Sequence, residues 1–186
     1  WAKSIAVGPG LSMNVAAAEI TRCVLERDDK VRILDADALN IIAGEHIDYK
    51  GSREGQIIIT PHIMEMSRLT GKTVADIKEH MIESAKEYAI QHSCICILKD
   101  ARTVVTDGQK VYINCTGNDG MSTGGCGDVL TGLIAGMTAM GLDAFEAACL
   151  SVYVHGKAGD YAASGKGRAG MTAADVSEAI AYVLKR

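Results

Sequence analysis

The segment 114–132 combines residue types that bind an anion with one that can move a proton. It reads NCTGNDGMSTGGCGDVLTG, with five glycines between Gly117 and Gly127. Glycine leaves the backbone free to turn sharply and to approach a ligand closely. From Asp128 onward, apolar residues recur at three- and four-residue spacing, which predicts a helix with one buried face. The segment therefore predicts a glycine loop that leads into the N-terminus of a helix.

A loop-to-helix junction of this kind is suited to binding phosphate. The first N–H groups of a helix have no partner within the helix, and the helix dipole places partial positive charge at the same end. That field also stabilises an ionised Asp128 in the first turn. A carboxylate beside a bound phosphate can accept the proton of an attacking hydroxyl. We interpret Asp128 as a candidate catalytic base, with the alternative that it only caps its own helix.

Composition and charge disfavour several classes of function. The chain has 186 residues, a formal net charge of -4 and 4% aromatic residues. This composition offers neither a basic surface nor many stacking side chains for nucleic acid, so no nucleic-acid partner is expected. No apolar run reaches the roughly 18 residues of a membrane span, so no membrane association is expected. The six cysteines lie in apolar segments without a disulfide-like spacing, which favours buried, reduced thiols and a cytoplasmic location.

Strands and helices that alternate along the chain must position the glycine loop. The predicted strands are short and almost entirely apolar, and they lie at 5–7, 31–34, 56–60 and 94–98. The predicted helices include a short one ending at Ala43, and the longer ones lie at 14–27, 62–69, 74–92, 128–140, 144–163 and 173–184. Residues 103–106 and 111–114 flank the turn DGQ and predict a hairpin. This order predicts an α/β fold with a mostly parallel central sheet, helices on both faces and a hairpin near one edge.

A polar cluster follows each predicted strand of the parallel part. GPGLS begins at Gly8, DADALN at Asp35 and TPH at Thr60, while Lys99 follows the strand ICIL. The carboxyl ends of parallel strands meet at one rim of the sheet, which is where ligands bind in such folds. We therefore expect these clusters to face the glycine loop.

Structural roles are alternatives for most of these side chains. His62 can cap the following helix, Lys99 can be solvent-exposed, and the DADALN acids can serve as turn and cap residues. His155 lies on an apolar helix and is interpreted as a core or interface histidine with satisfied hydrogen bonds. Four methionines at helical spacing are interpreted as core residues, namely Met64, Met66, Met137 and Met140.

Taken in order, the motifs resemble the ADP- or ATP-dependent NAD(P)H-hydrate dehydratase family, a branch of the ribokinase-like fold. The resemblance runs from Ala6 to Ala174, and the segments that carry it with the glycine loop read GPGLS, ILDADALN, ITPHIMEMSRLTG, ILKDARTVVTDG and FEAACLSVYVHGKAGDYAA. It implies a single three-layer α/β/α ribokinase-like domain over residues 1–186. Family members carry further strands and part of the hydrate pocket before GPGL, so we expect residues before Trp1 and a domain truncated at its N-terminus.

The resemblance implies repair of nicotinamide cofactors that hydration has damaged. ADP or ATP would phosphorylate the hydroxyl of the hydrate NADHX or NADPHX, and loss of phosphate would regenerate NADH or NADPH. It also implies Mg2+ as a cofactor and a homo-oligomer. Phosphoryl transfer depends on positioning, on charge neutralisation and on a group that accepts the hydroxyl proton. The glycine loop and Asp128 supply part of this set.

Matching the family's motifs residue by residue assigns candidate roles. Asp128 is implied as the catalytic base and a hydrate contact, with Gly10 and His62 as further residues of the hydrate pocket. The implied nucleotide-binding residues form an anion hole and the segment KDART, and they are Gly124, Gly125, Gly127, Lys99, Asp100, Ala101, Arg102 and Thr103. The residues implied to lie near the phosphates and magnesium are Asp35, Asp37 and Asn40.

Two other functions remain open on the sequence. Ser12, Asp100 and Cys126 replace two glycines and a hydroxyl residue that are usual in the family. A ribokinase-like kinase for a small hydroxylated metabolite, such as a vitamin precursor or a sugar, would share the GGCGD loop and the base. An inactive nucleotide-binding remnant is the third hypothesis, because the family's first strands are missing. A Rossmann dehydrogenase is disfavoured, since no G-x-G-x-x-G follows the first strand.

Overall fold

The computed structural model describes residues 2–52 and 56–185. The strands in these ranges are β1 (Ser4–Val7), β2 (Val31–Leu34), β3 (Ile57–Ile59), β4 (Ile95–Leu98), β5 (Val104–Thr106) and β6 (Val111–Ile113). The helices are α1 (Val15–Leu25), α2 (Ala36–Gly44), α3 (Ile63–Thr70), α4 (Val74–Glu79), α5 (Met81–His92), α6 (Cys126–Ala139), α7 (Ala144–Lys166) and α8 (Ala173–Val183). A 3-10 turn, Asp119–Met121, lies within the glycine loop.

The strands form one mixed sheet in the order β1-β2-β3-β4-β5-β6. The strands β1 to β4 are parallel, whereas β5 and β6 pair antiparallel and form the hairpin at one edge. The predicted mostly parallel sheet with a hairpin near one edge is thus confirmed. Because the first four strands share a direction, their carboxyl ends lie along one rim. These ends are Val7, Leu34, Ile59 and Leu98.

Side chains of the central strands alternate between two cores, as the pleat of a strand requires. On β4, Ile95 and Ile97 join one core, whereas Cys96 and Leu98 join the other. Helices α2, α3 and α5 cover the Cys96 side, and α6 and α7 cover the Ile95 side. The sheet therefore lies between two helical layers, which explains why β3 and β4 are apolar at every position and β2 at every position except Arg32.

The predicted helix 74–92 is wrong as a single element. It is divided into α4 and α5, because His80 leaves the helical conformation with φ -124° and ψ 49°. The apolar spacing continues across the break, so periodicity alone does not reveal it. Among the described residues, no helix has the length and apolar character needed to cross a membrane.

Several residues predicted to be buried lie on the surface. Met64 and Met140 are 49% and 75% exposed, so their assignment to the core is wrong. Met66 and Met137 are buried as predicted. Among the cysteines, Cys23 and Cys115 are exposed, contrary to the predicted burial of the thiols. Met64 lies two positions from Met66 and therefore on a different side of the helix, and Met140 follows the last residue of α6, Ala139.

Candidate functional site

The ends of β3 and β4 bring two predicted site residues together. The Lys99 N–H donates to the Pro61 carbonyl at 2.8 Å. His62 and Lys99 form a parallel bridge that extends the pairing of the two strands. The predicted hydrate residue and the predicted nucleotide segment therefore start at adjacent points on the rim.

Lys99 forms an ion pair with Asp35, which follows β2. The Lys99 ammonium donates to Asp35 Oδ1 at 2.9 Å, and the Thr131 hydroxyl of α6 donates to Asp35 Oδ2 at 2.7 Å. Asp35 is 1% exposed. Burial alone raises the pKa of this carboxyl, but the Lys99 ammonium and the hydrogen bonds outweigh burial, and the pKa lies below its usual value. This cluster connects the ends of β2 and β4 to α6.

The glycine loop enters α6 directly above that cluster. The helix begins at Cys126, and its N-cap is Gly125 with φ 91°, a conformation that favours glycine. A Cβ built on Gly127 would lie 3.6 Å from Lys99 Nζ and 3.9 Å from Asp35 Oδ2. The ammonium thus adjoins the first turn, whose N–H groups lack helical partners. Asp128 is the next residue and is exposed.

The start of the loop rests on α7. The Gly117 N–H and the Asn118 side-chain amide each donate to one oxygen of Asp160, both at 3.1 Å. The Thr116 hydroxyl donates to the Tyr153 carbonyl at 3.0 Å. The sequence prediction did not include Asp160, although an acid on an otherwise small and apolar helix face is a usable signal.

His62 caps α3 while its ring remains accessible. His62 Nδ1 accepts the Glu65 N–H at 3.1 Å, and Glu65 Oε2 accepts the His62 N–H at 2.8 Å. Glu65 is buried, and burial raises the pKa of its carboxyl despite the opposing effect of Lys99. The His62 side chain is 48% exposed. Glu65 was missed from sequence, although an acid three residues after a potential cap is a known signal.

The remaining predicted contacts lie on exposed turns of the rim. Asp100, Ala101 and Arg102 are exposed directly after Lys99, and the Thr103 hydroxyl donates to the Asp100 carbonyl at 3.3 Å. Gly124 is also exposed. The KDART segment is thus reachable by a ligand at the same end of β4 as Lys99.

The residues predicted near magnesium have protein partners for their oxygens. Both Asp35 oxygens accept hydrogen bonds, Asp37 Oδ2 accepts the Ser12 N–H at 2.8 Å, and Asn40 Oδ1 accepts Arg68 at 2.8 Å. The bond to Asp37 ties the GPGLS turn, with exposed Gly10, to DADALN. No group of three or more His, Cys, Asp or Glu residues in the described ranges is arranged to hold a metal. Mg2+ is usually held by one or two carboxylates together with substrate phosphates and water, and the hydrogen bond from Ser12 engages only one of the two oxygens of Asp37.

His155 lies on α7 near the first turn of α6. Its Nε2 is buried and has no hydrogen-bond partner among the described residues, so the predicted satisfied histidine is wrong in that respect. Burial lowers the pKa of this imidazole to about 4, with a further contribution from Lys99. The ring is therefore neutral at physiological pH.

A mostly parallel sheet between helical layers, with a glycine loop and a helix N-terminus on the strand-end rim, defines the chain as a ribokinase-like α/β protein. Hydroxyethylthiazole kinase from Pyrococcus horikoshii shares this fold with a TM-score of 0.72 at 14% identity, covering 96% of this chain and 70% of that one. The model of the NAD(P)H-hydrate dehydratase family matches residues 1–182. The chain belongs to that family, which confirms the resemblance of its motifs.

Relatives and solved structures agree with this assignment. The chain is 45% identical to the bifunctional NAD(P)H-hydrate repair enzyme Nnr of Moorella thermoacetica, covering 97% of this chain and 34% of that protein. It is 35% identical to the ADP-dependent (S)-NAD(P)H-hydrate dehydratase of Neisseria meningitidis, covering 97% and 62%. The ADP/ATP-dependent dehydratase of Bacillus subtilis, co-crystallised with ATP/Mg2+, matches with a TM-score of 0.87 at 32% identity, covering 97% and 63%. The chain thus spans about a third of its bifunctional relatives.

Proposed function

We propose that this chain carries a nucleotide-dependent NAD(P)H-hydrate dehydratase, a carbon–oxygen lyase that converts NADHX or NADPHX to NADH or NADPH. The observation that carries the proposal is the position of the Lys99 ammonium next to the first turn of α6, beside Asp128. A cation, backbone N–H donors and an exposed carboxylate there match the needs of phosphoryl transfer to a hydroxyl. The relatives' activities support the choice of substrate.

The residues divide the reaction between them. The first-turn N–H groups, Gly124, Gly125, Gly127 and Lys99 bind the phosphates of ADP or ATP, with KDART against the rest of the nucleotide. Asp128 accepts the proton of the hydrate hydroxyl as the hydroxyl oxygen attacks the terminal phosphorus of the nucleotide. AMP or ADP is the leaving group of this step. The C–O bond to the phosphate group then breaks, and phosphate leaves with the bonding electrons while the ring nitrogen donates its lone pair. Loss of a proton from the neighbouring ring carbon to solvent then forms the C=C bond of NADH or NADPH. Phosphate is a better leaving group than hydroxide, so phosphorylation by the nucleotide drives the elimination.

The hydrate pocket of the proposal contains His62 and Gly10. Both lie at strand ends on the rim that bears Lys99. Both oxygens of Asp35, one oxygen of Asp37 and the side-chain oxygen of Asn40 accept hydrogen bonds from the protein, so we assign no metal ligand and derive no step through Mg2+. Its use as a cofactor is supported only by the Bacillus subtilis relative.

We also propose a cytoplasmic homo-oligomer. Two neighbouring side chains of α7 are large, apolar and partly exposed, with Leu150 at 38% and Tyr153 at 41%. A contact with a second copy would remove them from water. Sedimentation of the purified chain measures its oligomeric state directly, and a monomer at micromolar concentration would contradict this proposal.

The activity is tested by incubating the full chain with NADHX or NADPHX and with ADP or ATP in the presence of Mg2+. We expect the absorbance of the reduced nicotinamide to appear only when nucleotide is present. Consumption of nucleotide with a sugar or vitamin alcohol, while the hydrate persists, would identify a metabolite kinase. Nucleotide binding without turnover of either substrate would identify an inactive remnant.

The role of Asp128 is tested by Asp128→Asn. A general base contributes about 10²- to 10⁴-fold to rate, so we expect kcat to fall by about that factor. The dissociation constant of ADP should stay near the wild-type value, because the amide is isosteric and the N–H donors remain. Thr123→Ser, on the same loop, serves as the control. Retention of most of the wild-type kcat in Asp128→Asn would remove this residue as the base.

A further inference from the structure

Asp35 is a buried charged residue at the rim to which the proposed function gives no role. Its two oxygens accept hydrogen bonds from Lys99 and Thr131 at 2.9 and 2.7 Å. It is 1% exposed, so a metal ion that arrives with a nucleotide would have to break these contacts to reach it. A buried carboxylate is costly unless it is paired. Its pairing partner therefore indicates what it does.

The partner, Lys99, has one buried and one accessible side. An ammonium group carries three N–H donors, and one of them is used by Asp35. The Lys99 side chain is 21% exposed. A Cβ on Gly127 would lie 3.6 Å from the ammonium nitrogen, so a side chain at this position would cover it. Glycine instead leaves the ammonium open to a ligand at the first turn of α6.

We propose that Asp35 is a positioning residue that holds the Lys99 ammonium against the first turn of α6, where both bind the same nucleotide phosphate. This inference rests on the proposed function, because it takes a nucleotide as the ligand. Asp35 also accepts a hydrogen bond from Thr131, which belongs to α6 itself. One carboxylate thereby fixes the position of the ammonium relative to the helix that supplies the N–H donors.

The charge state of the pair agrees with this role. Burial opposes ionisation of Asp35, yet the ammonium outweighs it and keeps the pKa below its usual value. At neutral pH the carboxylate is therefore ionised and attracts the ammonium as well as accepting its hydrogen bond. A long lysine side chain otherwise has considerable rotamer freedom, and fixing it in advance lowers the entropic cost of binding.

A double-mutant cycle on nucleotide affinity tests the proposal. The dissociation constant of ADP is measured by calorimetry with the full chain in EDTA, for Lys99→Met, Asp35→Asn and the double variant. Loss of a charged hydrogen bond weakens binding by about 10- to 100-fold, which we expect for Lys99→Met. We expect Asp35→Asn to raise the dissociation constant of ADP by about tenfold. The double variant should bind no more weakly than Lys99→Met, because Asp35 acts through Lys99.

Lys72→Met is the matched control. Lys72 pairs with Glu87 of α5 on the surface, so its loss removes a lysine ion pair without affecting the rim. We expect the wild-type dissociation constant of ADP for this variant. A weakening equal to that of Lys99→Met would show that general loss of positive charge explains the result, which would overturn the proposal.

Two outcomes separate positioning from the alternatives. If Asp35→Asn weakens ADP binding equally in the wild-type and Lys99→Met backgrounds, Asp35 acts independently and the proposal is wrong. If it leaves ADP affinity unchanged but raises the Mg2+ concentration for half-maximal activity, Asp35 is a metal ligand. A purely structural role would raise the KM values of hydrate and ADP together, whereas positioning raises that of ADP alone.

The double-mutant cycle still tests the proposal if Asp35→Asn does not fold or if the proposed function is wrong. If Asp35→Asn alone does not fold, comparison of Lys99→Met with the double variant still applies, because the double variant has no unpaired buried charge. Further weakening on addition of Asp35→Asn would contradict the proposal. If the wild-type chain binds ADP but does not dehydrate the hydrate, the proposed function fails while the ADP measurements still test Asp35.

Discussion

At the scale of single residues, the two ring nitrogens of His62 have different environments. Its Nδ1 accepts the Glu65 N–H, so that nitrogen carries no proton. The proton of the neutral ring then lies on Nε2, which is a hydrogen-bond donor. Serine, threonine, aspartate and asparagine are the preferred N-caps, and capping alone gives no reason for an imidazole. The second nitrogen, Nε2, supplies a reason: it lies 3.4 Å from Glu65 Oε1, and the side chain is 48% exposed, so a ligand can also reach it.

Two substitutions of His62 separate these roles. Asparagine offers an oxygen near the position of Nδ1 and is a strong N-cap, whereas alanine costs about 1 kcal/mol at such a site. We expect His62→Asn to keep the free energy of unfolding and His62→Ala to lower it, as measured in urea. Both should raise the KM for the hydrate. A wild-type KM in His62→Asn would mean that His62 is only a cap.

The motifs predicted where these residues lie, but not which of them pair. GPGLS, DADALN, TPH and KDART follow parallel strands, and that order alone predicts one shared rim. The Lys99–Asp35 contact joins residues 64 positions apart, and the Thr131–Asp35 contact spans 96. Periodicity carries no information about such pairs. The sequence therefore does not distinguish a carboxylate that pairs with an ammonium from one that binds a metal.

At the scale of elements, α7 supports the glycine loop along one face. Tyr153, Gly156 and Asp160 are spaced by three and four residues and all face residues 116–118. A Cβ on Gly156 would lie 2.2 Å from the Thr116 hydroxyl, so only glycine fits there. The glycine costs helix stability but permits the loop to approach the helix backbone.

Gly156→Ala should therefore displace the loop. Alanine is favoured over glycine in a helix by about 1 kcal/mol, but the clash with Thr116 opposes this gain. We expect weaker ADP binding and no rise in the melting temperature. Gly165→Ala is the control on the same helix, since a Cβ there meets nothing within 4 Å. It should raise the melting temperature and leave ADP affinity unchanged. Equal behaviour of the two variants would contradict the role of the Gly156 contact.

Helix boundaries were less predictable than helix existence. The apolar stripe of 74–92 predicted a continuous helix, yet the chain turns at His80 between α4 and α5. The buried face of a helix is also hard to predict. In helix α1, Val15 and Ile20 are exposed, whereas Ala17 and Ala18 pack inward. Small side chains permit the close approach of α1 to α2, and a pattern that scores large apolar residues overlooks them.

At the scale of the whole molecule, the alternation of strands and helices was sufficient to predict the layered sheet. Strands that are apolar at every position require cover on both faces, and the helices between them provide it. The hairpin was predictable from its DGQ turn. Burial of polar groups within the layers was not predictable, because the pattern of apolar residues does not specify the hydrogen-bond partners of a buried imidazole. His155 shows the consequence for stability.

His155 should make the stability of the fold depend on pH. Its folded pKa is lowered from 6.5 to about 4 by burial. As the pH falls through 6.5, the unfolded chain binds a proton that the folded chain does not, so stability falls until the folded pKa is reached. The slope approaches 1.4 kcal/mol per pH unit, roughly the energy of one pKa unit.

Comparison with His155→Gln isolates this contribution from all other titrating groups. The free energy of unfolding is measured in urea from pH 7 down to about pH 4, where the imidazole of the folded chain has its pKa. We expect the wild type to lose more stability over this interval than His155→Gln. His46→Asn is the control, because His46 is exposed and asparagine tolerates its φ of 50°. Its curve should run parallel to that of the wild type. Parallel curves for wild type and His155→Gln would mean that the imidazole accepts a proton without unfolding, through access to water that its buried Nε2 does not show.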